Sequence, residues 1–299
     1  MWPKWFTDQY GGKLPRTYCC FDTETTGFKK GVDVITEFGH VIVEDCKITS
    51  RYNVVVDWRN HKVVPDHWLR ERLDYVRESM AKTGQHYTTS YERMADEGVE
   101  PDRAFDLYYE ILQGLIDSGF YFVGHNIAFD EEMIAYNMAG FYKREFVLPD
   151  DRVFDTAAIE KGNQIYDQAK ALPIVGETMK DYFKRLGRLG GAGVHSNLTR
   201  HCVEKYKLKE KYNLDMTDAH RAEFDARLTH YLFEEFRDMA ANAPPPRPGM
   251  AHPPVRVARP PVAKERKVIE IEPFSGTSLY HPPARPATQP VRRRGQRNR

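Results

Sequence analysis

The chain has 299 residues, with 41% apolar and 12% aromatic side chains, which is globular composition and enough length to bury a sizeable core. Lys and Arg number 44 against 43 Asp and Glu, for a formal charge of +1, yet the 57 residues from Ala243 hold twelve basic and three acidic side chains, so that end carries +9 and the first 242 residues −8. Collagenous and membrane-spanning classes are excluded, because the longest apolar runs, such as Phe120 to Val123, fall far short of the roughly 18 residues a membrane helix needs.

The start Met1-Trp2-Pro3-Lys4 lacks the apolar region of a secretion signal, which predicts a soluble cytosolic protein. Thr17 to Asp22 is β-branched and aromatic and reads as a buried strand ending in a turn at Thr26-Gly27. Further strands are predicted through Ile35–Val43 and Tyr52–Val56, making an antiparallel meander. From about Pro65 to Asp117 apolar residues fall at helical spacing, with breaks near Thr83-Gly84 and Gly98–Pro101. Phe120–Gly124 reads as a short buried strand, followed by a helix from about Ile127 to Ala139 with Asn126 as its N-cap.

A strand at Arg152–Asp155 and another helix come next. The four glycines of residues 187–193 lack the Lys-Ser/Thr of a phosphate loop and predict a flexible connection. The body closes with a helix from about Ala222 to Ala240. Four cysteines without a C-x-x-C pair are read as reduced core thiols. The whole is an α/β domain over residues 1–242, a mixed sheet of meander plus parallel strands flanked by helices. Residues 243–299 hold thirteen of the 19 prolines and no periodic apolar face, which predicts a disordered basic tail.

The most informative stretch is Phe21-Asp22-Thr23-Glu24-Thr25-Thr26-Gly27. Asp22 and Glu24, two apart on a strand, project from the same face with Thr23 on the other. Two acids so close repel, and a divalent cation with oxygen ligands supplies the counter-charge. His125-Asn126-Ile127-Ala128-Phe129-Asp130 puts a third acid in the first turn of a helix after a buried strand. His220-Arg221-Ala222-Glu223-Phe224-Asp225 adds a fourth. If both His220 and Asp225 were helical they would stand about 140° apart, so His220 must lie in the loop before the helix to share its site. Ala222 and Ala226 on that helix allow close approach to a strand.

These three motifs, FDTETTG, HNxxFD and HxAxxD, in this order and over about Tyr18 to Phe236, resemble the DnaQ-like 3′→5′ exonucleases of the His-containing DEDD class, a ribonuclease H-like fold that includes proofreading subunits of bacterial replicative polymerases. The resemblance implies that Asp22, Glu24, Asp130 and Asp225 bind two divalent ions, Mg²⁺ or Mn²⁺, and that His220 is the general base. It implies hydrolysis of DNA from the 3′ end to 5′-mononucleotides, in replication or proofreading. An RNA exonuclease of the same family is the closest rival, since no motif reports on the 2′-hydroxyl. A catalytically idle scaffold would be expected to lack one of the acids or the histidine, and all five are present.

Thr25, Thr26, Asn126 and Phe129 lie where the resemblance places the terminal nucleotide. Asp155 is read as structural, His125 as a hydrogen-bonding residue. Thr83-Gly84 is similar to a turn of the family that lines the nucleotide, although Gln85 departs from the pattern. Lys180, Lys184, Arg185 and Arg188 form a candidate contact to a nucleic-acid backbone. In the tail, the arginines from Arg292 onward are candidates for gripping phosphates, and Val268–Phe274 is an apolar island suited to docking on a partner; the resemblance implies a polymerase or clamp, though no docking motif selects one.

Overall fold

The computed structural model describes residue 10 and residues 13–165, 168–190 and 194–243. The predicted disordered tail, with Val268–Phe274 and the arginines from Arg292, lies outside the described residues, as do positions 191–193 of the glycine-rich connection.

Strand β1 (Tyr18–Thr25) is the centre of a five-stranded sheet. It pairs antiparallel with β2 (Ile35–Glu44), which pairs antiparallel with β3 (Lys47–Val55). On its other edge it pairs parallel with β4 (Tyr121–Gly124), and β4 pairs parallel with β5 (Val153–Asp155), giving the order β3-β2-β1-β4-β5. The β2–β3 hairpin closes on Asp45 and Cys46, with φ of 53° and 65°, the left-handed pair that matches the twist of the flanking strands. β3 starts five residues before the predicted Tyr52. Its first half, Lys47–Arg51, is a largely exposed edge with too few apolar residues to signal a strand.

Helices cover both faces. On one side α1 (Asp66–Ala81), α2 (Tyr91–Glu97), α3 (Pro101–Asp117) and α4 (Ile127–Asn137) bury a core with Cys19, Phe21, Phe38 and Phe122 of the sheet. On the other, α5 (Thr156–Gln164), α6 (Met179–Gly187) and α7 (Ala222–Ala241) pack with Tyr18, Cys20, Val41 and Phe154. Alternate residues of β1 therefore enter different cores, which is why that strand reads as an unbroken apolar run before Asp22. This is a mixed sheet flanked by helices, the meander plus parallel strands that the sequence predicted. Regular α4 stops at Asn137 and continues as a π-turn over Met138–Tyr142, rather than as α-helix to Ala139.

Two local features bring the helices to the sheet. A Cβ on Gly39 would sit 2.0 Å from the backbone nitrogen of Glu223, so only glycine lets the start of α7 cross β2. Ala222 and Ala226 are both fully buried on that helix, as their small side chains predicted. The segment between α6 and α7, which sequence reasoning left blank, forms a π-turn (Leu198–Cys202) and short helical pieces. It is anchored by the buried Glu160 carboxylate, which accepts from Tyr206 Oη at 2.6 Å, His201 Nε2 at 3.1 Å and Lys205 Nζ at 2.5 Å. No helix among the described residues is long and apolar enough to cross a membrane.

Candidate active site

Pairing of β1 with β4 ends at Cys20–Val123, so the carboxyl end of β1 runs past its neighbour and leaves a shelf. Asp22 and Glu24 stand on that end, on the α7 side shared by Tyr18 and Cys20. Because β1, β4 and β5 are parallel, the loops after β4 and β5 open at the same edge, the usual place for a site in such a sheet. There Asp130, in the first turn of α4, accepts from the backbone N–H of Thr23 at 2.9 Å and from its hydroxyl at 2.7 Å, both on Oδ1. Thr23, on the opposite face from its acidic neighbours, thus fixes the third acid.

Asp225 comes from the start of α7. His220 lies in the loop before that helix, in a left-handed conformation with φ of 68°. Its N–H donates to Asp225 Oδ1 at 3.3 Å, and its Nδ1 lies 3.7 Å from Asp225 Oδ2. Glu24, His220 and Asp225 each present one ligand atom, and these atoms lie within 4.8 Å of one another. Asp22 and Asp130 stand outside that tight trio but close enough to feel its charge.

The electrostatics of the group are unfavourable without a counter-ion. Burial holds the Asp22 carboxyl well above its ordinary range, and the neighbouring Asp130, Asp225, Glu24 and Glu37 push it further. Burial also raises Glu24 strongly, reinforced by Asp225, Glu37 and Asp130, with Arg93 opposing. Asp130 is pushed up to about 7 by burial despite its bonds from Thr23, and Asp225 to about 7 by burial despite the His220 N–H. His220 moves down, through burial first and then the Arg200 and His86 charges, so at neutral pH its ring is uncharged.

Glu37, to which sequence reasoning assigned no role, pairs opposite Glu24 in the β1–β2 register and is fully buried. Arg93 of α2 clamps it with two bonds, Nη1 to Oε2 at 2.7 Å and Nη2 to Oε1 at 3.1 Å. The available signal was an acid inside the apolar run Ile35–Val43; its partner, 56 residues away, carried none. Breaking a buried pair strands one charge, so Arg93→Ala should destabilise the fold by about 3–5 kcal/mol. Thermal unfolding checks this, and an unchanged midpoint would contradict the assignment.

Other predicted residues are placed less directly. The hydroxyls of Thr25 and Thr26 are buried and bonded inside the protein, Thr25 to Gly27 O at 2.7 Å and Thr26 to Asp33 Oδ1 at 3.0 Å. They staple the turn after β1, which holds the backbone of Thr25 and Thr26 in place at the end of the strand. Asn126 precedes α4 but its side chain makes no cap bond; it supplies a left-handed φ of 71°, and its N–H donates to Asp155 Oδ1 at 3.0 Å. Asp155 also caps α5 through Ala158 N. His125 bonds Thr156 Oγ1 at 3.0 Å and the Ser196 carbonyl, which ties the segment before α7 to the site. Phe129 is partly buried against the α1–α4 core, and its ring lies 5.8 Å from that of Phe28, which is 81% exposed.

The proposed basic patch is largely spent on internal pairs. Lys180 bonds Glu131, Lys184 lies 3.3 Å from Glu132, and Arg185 holds Glu177 at 2.7 Å. These cations brace α4 and α6 and are no free backbone grip.

Clustered carboxylates with raised proton affinity are what a hard divalent cation relieves, and their oxygens are its preferred donors. On this chemistry the residues fit such ions. Asp22, Glu24, Asp130 and Asp225 would hold them, with His220 at the edge.

The model of the family RNase_T, described as exonuclease, matches residues 19–233, and DEDD members of that family use divalent metals. The 3′-5′ exonuclease DinG of Bacillus subtilis (strain 168) is 27% identical over 231 residues, covering 77% of this chain but only 18% of DinG. Among solved structures, E. coli Exonuclease I in complex with a dA16 oligonucleotide is similar at 13% identity and a TM-score of 0.45, covering 76% of this chain and 42% of that one. Exonuclease X in complex with 5′ overhanging duplex DNA gives 15% identity and a TM-score of 0.35 over 74% and 92% of the two chains. The chain thus spans less than a fifth of DinG and less than half of Exonuclease I.

Proposed function

We propose, for a chain that belongs to the RNase_T exonuclease family, that it hydrolyses DNA from the 3′ end and releases 5′-mononucleotides at a divalent-cation centre. The observation that carries this reading is the convergence of Asp22, Glu24, Asp130 and Asp225, from three separate elements, beside His220. The 3′-5′ exonuclease activity of DinG supports the polarity. Two bound Mg²⁺ or Mn²⁺ ions would neutralise the carboxylates and stabilise charge on the phosphoryl and leaving oxygens.

The chain's own groups supply the rest. Water is the nucleophile, and His220 takes its proton through Nδ1, the ring nitrogen that faces Asp225. A general base is typically worth about 10²–10⁴-fold, and the downward shift of His220 keeps it able to accept a proton at neutral pH. Backbone groups of Thr25 and Thr26 and the rings of Phe28 and Phe129 border the place of the terminal nucleotide. The body's −8 is compatible with this substrate, because four of the negative charges face the cations and a 3′ end asks for few phosphate contacts. A cytosolic location suits the four free cysteines. A role in replication or proofreading, and docking of a polymerase or clamp on the tail, belong to the same proposal.

Phe28 gives a test of substrate binding. An aromatic ring left 81% exposed beside Phe129 suits stacking on a base, worth about 1–3 kcal/mol. Phe28→Ala should raise KM for a single strand roughly 5- to 100-fold while the melting temperature stays put. An unchanged KM would remove Phe28 from the site.

The function itself is tested with DNA and RNA strands of the same sequence, each labelled at the 5′ end and incubated with Mg²⁺, Mn²⁺ or EDTA. A ladder shortening one nucleotide at a time from the 3′ end is expected, faster on DNA and absent in EDTA. Faster shortening of RNA would replace the substrate in this proposal, and internal cuts would overturn it.

A further inference from the structure

Gln85, the residue that breaks the family's turn pattern, does not face the nucleotide's place alone. Its side-chain amide lies 3.2 Å from Nε2 of His220, on the edge of the ring away from Asp225, and 3.3 Å from Thr199 Oγ1. We propose that Gln85 is a positioning residue for the general base, gripping the Nε2 edge of His220 so that Nδ1 is presented to the attacking water beside Asp225. The proposal rests on the exonuclease reading given above.

The support for Gln85 is built from both sides. Thr83 Oγ1 lies 3.1 Å from the other end of the amide and donates to Met80 O at 2.8 Å, so that hydroxyl remains able to accept. Thr199 belongs to the π-turn before α7, capped by Asn197, whose Oδ1 accepts from Thr199 Oγ1 at 3.2 Å and from Arg200 N at 2.8 Å. The same segment is held by the His125–Ser196 contact and by Gln164, which bonds the backbone of His195. Thr88 Oγ1 donates to the His220 carbonyl, so the histidine is gripped at its backbone as well.

A half-turn of the amide exchanges its ends without moving the side chain. The NH₂ then donates to Thr83, and the carbonyl accepts from a proton on Nε2 and from the Thr199 hydroxyl, which turns to it from Asn197. That leaves Nδ1 with its lone pair on the Asp225 side, 3.7 Å from Oδ2. The logic is that of a base oriented by a third group at its far nitrogen. In the proton transfer, Nδ1 takes one proton from water, the resulting hydroxide oxygen attacks phosphorus, the bond to the leaving 3′ oxygen breaks and that oxygen takes a proton from solvent water, while Gln85 still accepts from Nε2–H of the cationic ring until the ring returns its proton to solvent.

The test compares Gln85→Met, which keeps length and bulk but loses both polar ends, with Gln85→Glu, which keeps an acceptor for Nε2–H. Each is made in the wild-type protein and in His220→Ala, and kcat and KM are measured on a short 5′-labelled DNA strand. Gln85→Met should lower kcat about tenfold or more with KM within about twofold, and Gln85→Glu should stay within a few-fold of the wild-type kcat. In the His220→Ala background Gln85→Met should have no further effect, since its role runs through the ring. An unchanged kcat in Gln85→Met, a change confined to KM, or an equal loss in the His220→Ala background would overturn the proposal. Full activity of His220→Ala alone would instead overturn the general-base reading on which it rests.

Discussion

Asp22→Asn should reduce nucleotide release by at least about 10³-fold while making the cation-free protein more stable. The two effects have one cause. Asp22 sits at the centre of the acidic group, where Asp130, Asp225, Glu24 and Glu37 all raise its proton affinity on top of burial. An amide of the same shape removes one repelling charge from the fold and one ligand from the cation site. Stabilisation of transition-state charge by bound cations is worth several kcal/mol, and each 1.36 kcal/mol is about tenfold in rate. Release of labelled mononucleotide and a melt in EDTA measure both halves. A merely structural acid would lose stability on replacement, so a lower melting temperature with retained activity would contradict the assignment.

The second large effect is a dependence of stability on pH that cations should cancel. Asp130 and Asp225 have an ordinary value of 3.8 and are raised to about 7 in the fold. A carboxyl raised on folding contributes its stabilisation fully below 3.8 and loses it as pH rises through the folded value. Buried His40, His125 and His230, lowered to about 4, act in the opposite sense, but only below their ordinary 6.5. Above pH 6.5 the carboxyls dominate. The melting temperature in EDTA should therefore fall between about pH 6.5 and 8, and the increment given by Mg²⁺ or Mn²⁺ should grow over the same range. A flat profile in EDTA, or a cation increment that shrinks with rising pH, would be contrary to this account.

Much of the site was legible because its spacing is local. Two acids two apart on a strand must share a face, and the 140° between His220 and Asp225 on a helix forces the histidine into the preceding loop, where it lies with φ of 68°. Parallel pairing of β1, β4 and β5 then follows from alternating strands and helices, and it brings Asp22, Asp130 and Asp155 to one end of the sheet.

What was not legible depends on pairs far apart in the chain. Nothing near Asp130 says that its oxygen will be held by Thr23, 107 residues earlier, and nothing near His220 points to Gln85, 135 residues away. Internal partners were hidden for the same reason: Asp33 and Val34 share the Thr26 hydroxyl, and Glu132 pairs with Lys184. Asn126 stands at the N-cap of α4 as its residue type suggested, but it serves through the left-handed backbone of the turn from β4 rather than through a side-chain bond. A side chain's type suggests what it can do; the fold decides which of its partners arrives first.

The central claim is that the buried carboxylates and His220 direct water at the 3′-terminal phosphodiester. The most direct measurement runs the reaction with a DNA strand and Mg²⁺ in ¹⁸O-labelled water and weighs the released products. The account predicts 5′-mononucleotides, appearing in order from the 3′ end, each with one ¹⁸O in its phosphate, and none when EDTA is present. Products bearing a 3′-phosphate, fragments cut from within the strand, or release that persists in EDTA would contradict it.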